Sequence, residues 1–412
     1  MSITSIGTTM ADRRWTILLL AFAARGATGY QFQSVASTTQ MLAEHYQVGF
    51  SDIGLLLGVY MLPGVVVAYA TGRLGQRYRE DQLCLVGLSL MIGSGIGIGL
   101  SDHLLMGLAF RITGGIGATV VIITVTKMIA DWFNGREIVL AMSVVQVSWP
   151  IGAMLGLPLQ TALAETFGLM TAMLSTGIVA VIVLAAFVLR YAPLPQSDVR
   201  QAASTSLSLS SRAPIIVAGA IWGAMNVACI VVFTSAPQVL QAQGLSATTA
   251  AAMVGAIVLL TIISIPAGGY LVQWLRRTTV AIAFCATMAA LSLALFAMEI
   301  WPAAACVLFG LAIGPLSGSI LVLPSLVLDQ EQRAAGFGLF YSVFYLLMVA
   351  GPACAGYLQD QWQRPEAPIV FASVLLSAIP FMLLLFVRLK RRHDTGVDAA
   401  GILTPLEAQS PN

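Results

Sequence analysis

What most constrains this chain is its succession of apolar runs, each long enough to cross a lipid bilayer as a helix. A hydrocarbon core about 30 Å thick needs about 20 apolar residues of α-helix. Inside it, every backbone N–H and C=O must be paired within the spanning element. Twelve stretches meet that demand, at about 15–40, 52–72, 83–101, 104–129, 138–162, 168–189, 214–240, 248–273, 279–298, 301–327, 335–357 and 367–388. Composition agrees: 58% of the 412 residues are hydrophobic and 9% are charged, against roughly 25% charged in a soluble domain. The expected fold is an all-α membrane protein with twelve transmembrane helices, and its first partner is the lipid bilayer.

The stretch from Tyr191 to Arg212 is the one internal segment with linker character, with Pro193, Pro195 and serines from Ser204 to Ser211. It divides the spans six and six. The expected organisation is a first six-helix half over 1–190, a linker over 191–212, a second half over 213–392 and a short tail over 393–412. Charge sets the orientation. Of the 20 Lys and Arg residues, all but Arg25, Arg111 and Arg364 fall in segments on one side of the twelve-span arrangement. Basic residues mark the cytoplasmic side, so both termini are expected there, in a plasma membrane of the bacterial inner-membrane kind.

The halves repeat. Arg333 follows Arg136 by 197 residues, Gly269 follows Ala68 by 201, and Pro352 follows Pro150 by 202. A near-constant offset indicates a duplicated six-helix unit, and such repeats place a substrate site at their interface near the midplane.

The exits from the second and eighth spans carry a resemblance. "AYATGRLGQR" is similar to the major facilitator superfamily pattern Gly-x-Leu-x-Asp-Arg-x-Gly-Arg-Arg through Arg73, Gly75 and Arg77, with Ala68 for the first Gly and Gly72 for the Asp. The second copy keeps Gly269, Leu271 and Arg277, with Gln273 at the acidic position. "RITGGIGAT" in the fourth span resembles the family's Arg-x-x-x-Gly-x-Gly-Ala through Arg111, Gly115, Gly117 and Ala118. The stretch from "KMIADWFNGRE" to "SWPIGAMLG" looks similar to the cyanate/nitrite-type and organic-anion branches. The resemblance implies the major facilitator fold, with spans 1, 4, 7 and 10 around a central cavity and alternating access between the halves. It also implies that the Asp missing at Gly72 is replaced by another latch of the cytoplasmic gate.

Two cations fall deep in the hydrocarbon. Arg25 lies about ten residues into the first span, about 15 Å deep, and Arg111 lies in the outer half of the fourth. An Arg at a helix centre costs about 2.5–3.5 kcal/mol, so each is expected to face a wet cavity, backbone carbonyls or a bound anion. No Asp or Glu falls within an expected span. For Arg111, substrate contact and a structural hydrogen-bonding hub are both open readings. Further substrate candidates are Gln33 near the Arg25 face, Trp222 and Asn226 on one face of span 7, Ser317 in the Gly- and Pro-rich tenth span, and Tyr341 with Tyr345 in span 11. Gln146, Trp149 and Pro150 read as a bend or gate in span 5.

Other chemistries find little support. The sequence contains no Gly-Lys-Ser/Thr phosphate loop, and no nucleophile, base and orienting residue come together. The five cysteines sit in apolar runs without metal-ligand spacing. No enzymatic activity, cofactor, metal or nucleic-acid partner is expected. The expected function is a monomeric secondary or facilitative transporter of a small organic or inorganic anion, monocarboxylate-like or cyanate/nitrite-like. A multidrug or cation efflux carrier is the first alternative, but it would want an intramembrane carboxylate. A non-transporting sensor of the same fold is the second, and it would want an added signalling segment.

Overall fold

The computed structural model describes residues 3–133, 137–191 and 207–403. Within them the chain is helical throughout. The first half comprises α1 (Ile3–Ser37), a short α2 (Thr39–Tyr46), α3 (Phe50–Gly58), α4 (Gly64–Arg77), α5 (Glu80–Gly99), α6 (Leu104–Trp132), α7 (Ile138–Phe167) and α8 (Leu169–Arg190). The second comprises α9 (Leu209–Ala242), α10 (Ala247–Leu275), α11 (Thr278–Ala297), α12 (Pro302–Val322), α13 (Arg333–Trp362) and α14 (Ala367–Leu403). Ten helices among the described residues are long and apolar enough to cross a membrane. The other two crossings are α1 and the pair α3–α4. Together they form the twelve spans of an integral membrane protein.

Most boundaries lie within a few residues of the hydropathy reading, with three differences. The second span is broken at Val59–Pro63, where Pro63 precedes the first residue of α4. Proline tolerates that place because it lacks the N–H that an interior helical position would need. Helix α9 starts at Leu209, inside the segment read as linker, and α14 runs through the start of the segment read as tail. Most of that linker, and Arg136 of the repeat, lie outside the described residues.

The duplication is visible in the packing. In the first half α1 packs on α7, α5 on α6 and on α8, and α4 on α6; in the second, α9 packs on α13, α11 on α12 and on α14, and α10 on α12. Each pair is the other's counterpart. The halves meet where α4 and α6 touch α13, and where α7 touches α10 and α12. Helices α2 and α3, at the end away from the termini, pack only within their own half.

The seam between halves is built from missing side chains. At Gly72 a Cβ would stand 2.5 Å from the Ala334 carbonyl oxygen and 2.8 Å from Gly338 Cα. Glycine here lets α4 lie backbone against backbone on the first turn of α13. On the other side of the pseudo-axis Ser143 of α7 occupies the space that a side chain at Gly269 or Gly318 would need; a Cβ would lie 2.1 and 1.7 Å from its hydroxyl oxygen.

Candidate functional site

At the end that carries the termini, polar contacts close the seam. Arg333 Nη1 donates to Asp131 Oδ1 at 2.9 Å and to the Ala130 carbonyl at 2.7 Å, joining α13 to α6. Lys127 Nζ bonds Asp131 Oδ2 at 2.7 Å and also Glu80. The Tyr191 hydroxyl donates to the other Glu80 oxygen at 3.1 Å, and burial and that carboxylate push its phenol well above the ordinary range. Arg14 pairs with Glu137. Asp131 lies in the last turn of α6, at the end of the fourth span, and is buried.

The degenerate family motifs find their explanation here. Gln273, at the acidic position of the second copy, accepts a hydrogen bond from Leu140 N in the first turn of α7 at 3.2 Å. An amide oxygen thus satisfies one of the unpaired N–H groups that every helix start presents. In the first copy Gly72 replaces a capping acid by direct helix contact, and Gly75 packs beside Ala334, its would-be Cβ 3.0 Å from that methyl. Arg73, Arg77 and Arg277 are exposed at the helix ends.

Above this seal the central residues grow more exposed toward the far end. Arg25 and Trp222 are buried, at 5% and 1% exposure. One or two turns further along the same helices, Phe32 and Gln33 on α1 and Asn226 and Ile230 on α9 are half-buried. Burial thus falls along α1 and α9 from Arg25 and Trp222 toward the end away from the termini.

Arg25 has one polar partner among the described residues: its Nη2 donates to Gln146 Oε1 at 2.6 Å, while its buried Nε and Nη1 have none. None of the ion pairs among the described residues includes it. Gln146 stands four residues before Pro150, the position whose missing N–H breaks helix pairing. Pro150 lies within the continuous helix α7, and its missing N–H leaves the Gln146 carbonyl without its usual intrahelical donor. Gly29 keeps the helices close at this level, since a Cβ there would sit 2.2 Å from the Trp149 carbonyl oxygen.

Arg111 differs in every respect. It is fully buried, and its guanidinium donates to the carbonyls of Leu56 (3.2 Å), Gln31 (2.9 Å) and Phe32 (2.6 Å) and to Ser34 Oγ (3.4 Å). Its plane lies 4.4 Å from the Tyr60 ring centroid, at the break in the second span. Gly115 permits this, because a Cβ there would meet the Tyr60 carbonyl oxygen at 2.1 Å; Gly117 does the same against Gly87 of α5, at 2.5 Å. In this arrangement Arg111 staples α1, the broken span and α6.

The remaining candidates separate. Tyr341 and Tyr345 are buried on α13, and the Tyr341 hydroxyl bonds Thr126 Oγ1 of α6 at 3.0 Å. Trp222 stacks on Phe340 (6.4 Å) and leans on Phe344 (6.1 Å), and its buried indole N–H has no acceptor. Asn226 Nδ2 donates to the Trp222 carbonyl at 2.8 Å. Gln33 lies beside Gly156. Ser317 is buried beside Met225 of α9, and its hydroxyl donates to the Ile313 carbonyl at 2.9 Å, with Met225 Sδ at 3.7 Å. Sequence reasoning passed over Phe340, Phe344 and Thr126. Their one signal was helical spacing from Tyr341, Tyr345 and Arg111.

A family model described as Major Facilitator Superfamily matches residues 15–352. No curated protein matches the sequence. Among solved structures the chain resembles the human organic anion transporter TETRAN at 16% identity and a TM-score of 0.73, covering 90% of this chain and 99% of that one. It resembles the proton:xylose symporter XylE at 14% identity and 0.74, covering 92% and 96%. It also resembles the transporter FucP in the outward conformation, at 13% and 0.71, covering 90% and 99%. At these identities the resemblance establishes the fold.

Proposed function

The chain belongs to the major facilitator superfamily, and from that premise we propose that it carries a small anion across the membrane by alternating access, with Arg25 as the substrate-binding cation. That it is a secondary or facilitative transporter and not an enzyme follows from the family and the fold. The anion reading is carried by one observation: Arg25 is buried near mid-span with two guanidinium nitrogens lacking an acceptor and with no carboxylate beside it. An Arg at this depth costs about 2.5–3.5 kcal/mol. Each N–H left unpaired adds about 1–3 kcal/mol. A carboxylate or other small anion accepting from Nη1 supplies the missing countercharge and pairs an orphan donor through a charge-assisted hydrogen bond.

The central cavity in this reading faces outward, and the seal of Asp131, Arg333, Gln273 and Gly72 is the closed cytoplasmic gate. FucP in its outward conformation, among the similar structures, is consistent with that state. The protein works as a monomer in a plasma membrane with both termini cytoplasmic. A cation carrier would want an unpaired carboxylate in that cavity. Buried Asp131 and half-buried Glu80, the acids beside the gate, are held by Lys127 and Arg333 instead.

The test is a thermal-shift screen of the purified protein against small anions, cations and neutral solutes. A ligand at 100 times its Kd stabilises by about 2.7 kcal/mol. Anions should raise the melting temperature of the native protein and not of Arg25→Ala. The variant without ligand should melt no lower than native, because an unpaired buried charge has been removed. Arg25→Lys should also lose anion binding, since an ammonium keeps the charge without the planar fork. Stabilisation of native protein and Arg25→Ala alike by the same anion would overturn the assignment.

A further inference from the structure

Resting on the anion reading above, we infer that the ligand is an organic monocarboxylate whose compact, flat body carries a neutral hydrogen-bond acceptor. Its carboxylate sits on Arg25 and its acceptor on the Trp222 indole.

The two positions are equivalents in the duplicated fold. Trp222 follows Arg25 by 197 residues, the offset that also relates Gly223 to Gly26. Those glycines play matching parts: Gly26 brings α1 onto α7, its would-be Cβ 3.4 Å from the Ser148 carbonyl oxygen, and Gly223 brings α9 onto α13, with Leu347 Cδ1 at 2.5 Å. The duplication thus gives Arg25 and Trp222 equivalent positions in the two halves, each beside a glycine at a helix crossing.

Both are donors in want of an acceptor. Arg25 Nε and Nη1 and Trp222 Nε1 are buried without a partner among the described residues. A ligand that satisfies both halves must therefore present acceptors at both ends.

The ends differ in kind. On the first half the donor is a cation, which takes a carboxylate. On the second it is a neutral N–H set in an aromatic wall, with Phe340 and Phe344 against Trp222 and Phe344 edge-on to Tyr345 at 4.9 Å. That wall favours a flat apolar body and a neutral acceptor. A second carboxylate would be buried there with no countercharge, at heavy cost. Nitrite or cyanate would answer Arg25 but leave the indole N–H unpaired.

The experiment measures binding of four monocarboxylates, one dicarboxylate and two inorganic ions to the purified full-length protein. The monocarboxylates are two pairs, propionate with pyruvate and benzoate with 4-acetylbenzoate, the second of each pair carrying an added ketone. Nitrite, cyanate and the dicarboxylate succinate complete the series. In native protein at least one oxo acid should bind about tenfold tighter than its parent, the worth of one hydrogen bond of about 1.4 kcal/mol. Nitrite, cyanate and succinate should bind more weakly than that acid. Trp222→Phe keeps the ring stack and removes the N–H; it should abolish the oxo-acid preference and leave the parent acid within twofold. If Trp222→Phe does not fold, the ligand series on native protein decides alone. Nitrite or cyanate matching the best oxo acid overturns the inference, as does an absent preference or one that survives in Trp222→Phe, while the anion reading stands. Binding of only cations or neutral solutes overturns both.

Discussion

Replacing Gly72 by alanine should open the gate at the end carrying the termini. The new Cβ would sit 2.5 Å from the Ala334 carbonyl oxygen and 2.8 Å from Gly338 Cα. Ordinary contact needs about 3.5 Å, so α4 and α13 must separate by roughly 1 Å. The neighbours are backbone atoms of a helix and cannot rotate away. Overpacking of this kind costs about 1–3 kcal/mol, and the cost falls only on the state in which the seam is closed. The closed-to-open ratio should therefore drop about 5- to 150-fold. Alanine also favours a helix over glycine by up to about 1 kcal/mol, but in both states equally. The assay is the distance distribution between spin labels at Arg77 and Glu331, both exposed at this end, in purified protein with its five cysteines removed. Gly54→Ala is the control, since a Cβ there meets nothing within 4 Å. Gly72→Ala should move weight to longer distances and Gly54→Ala should not. Equal distributions for the two variants would refute the idea that glycine contact holds this gate.

Arg111→Lys should lower the melting temperature and the folded yield, because several charge-assisted bonds of about 1.5–3 kcal/mol each cannot be rebuilt by an ammonium; of the protein that folds, anion affinity should stay within about threefold, and a selective loss of affinity in well-folded protein would return Arg111 to the substrate site. Tags at the N-terminus, within 191–212 and at the C-terminus should all be reachable only from the cytoplasm; labelling any of them from outside the cell would break the twelve-span topology. In proteoliposomes with the voltage clamped and no counter-anion inside, a pH gradient should not drive accumulation of a strong-acid anion, because Asp131 is held by Lys127 and Arg333 while Asp52 and Glu165 lie in end turns of their helices. Accumulation would point to Asp131 and Glu80 as groups that titrate when Arg333 withdraws.

The sequence by itself determined the twelve spans, the division into two halves and the two buried cations. These are one-dimensional properties: run length against bilayer thickness, a constant offset, and charge at a given depth. It also held Gln146 and Pro150 four residues apart in one span, and Trp222 in register with Arg25, although nothing local said what either faces. Only the tertiary structure decided that Arg25 is left with orphan donors while Arg111, at similar solvation cost, is satisfied by carbonyls some 55 to 80 positions away. It decided as well that Gly72 replaces an acid by helix contact, that Asp131 is buried under Arg333, and that the second span breaks where Tyr60 must meet Gly115. The physical reason is that lipid and protein interior are both apolar. A spanning helix therefore needs no amphipathic stripe to say which way it faces, and its rotation, and with it every partner of Arg25 and Arg111, is fixed only when the other helices pack around it.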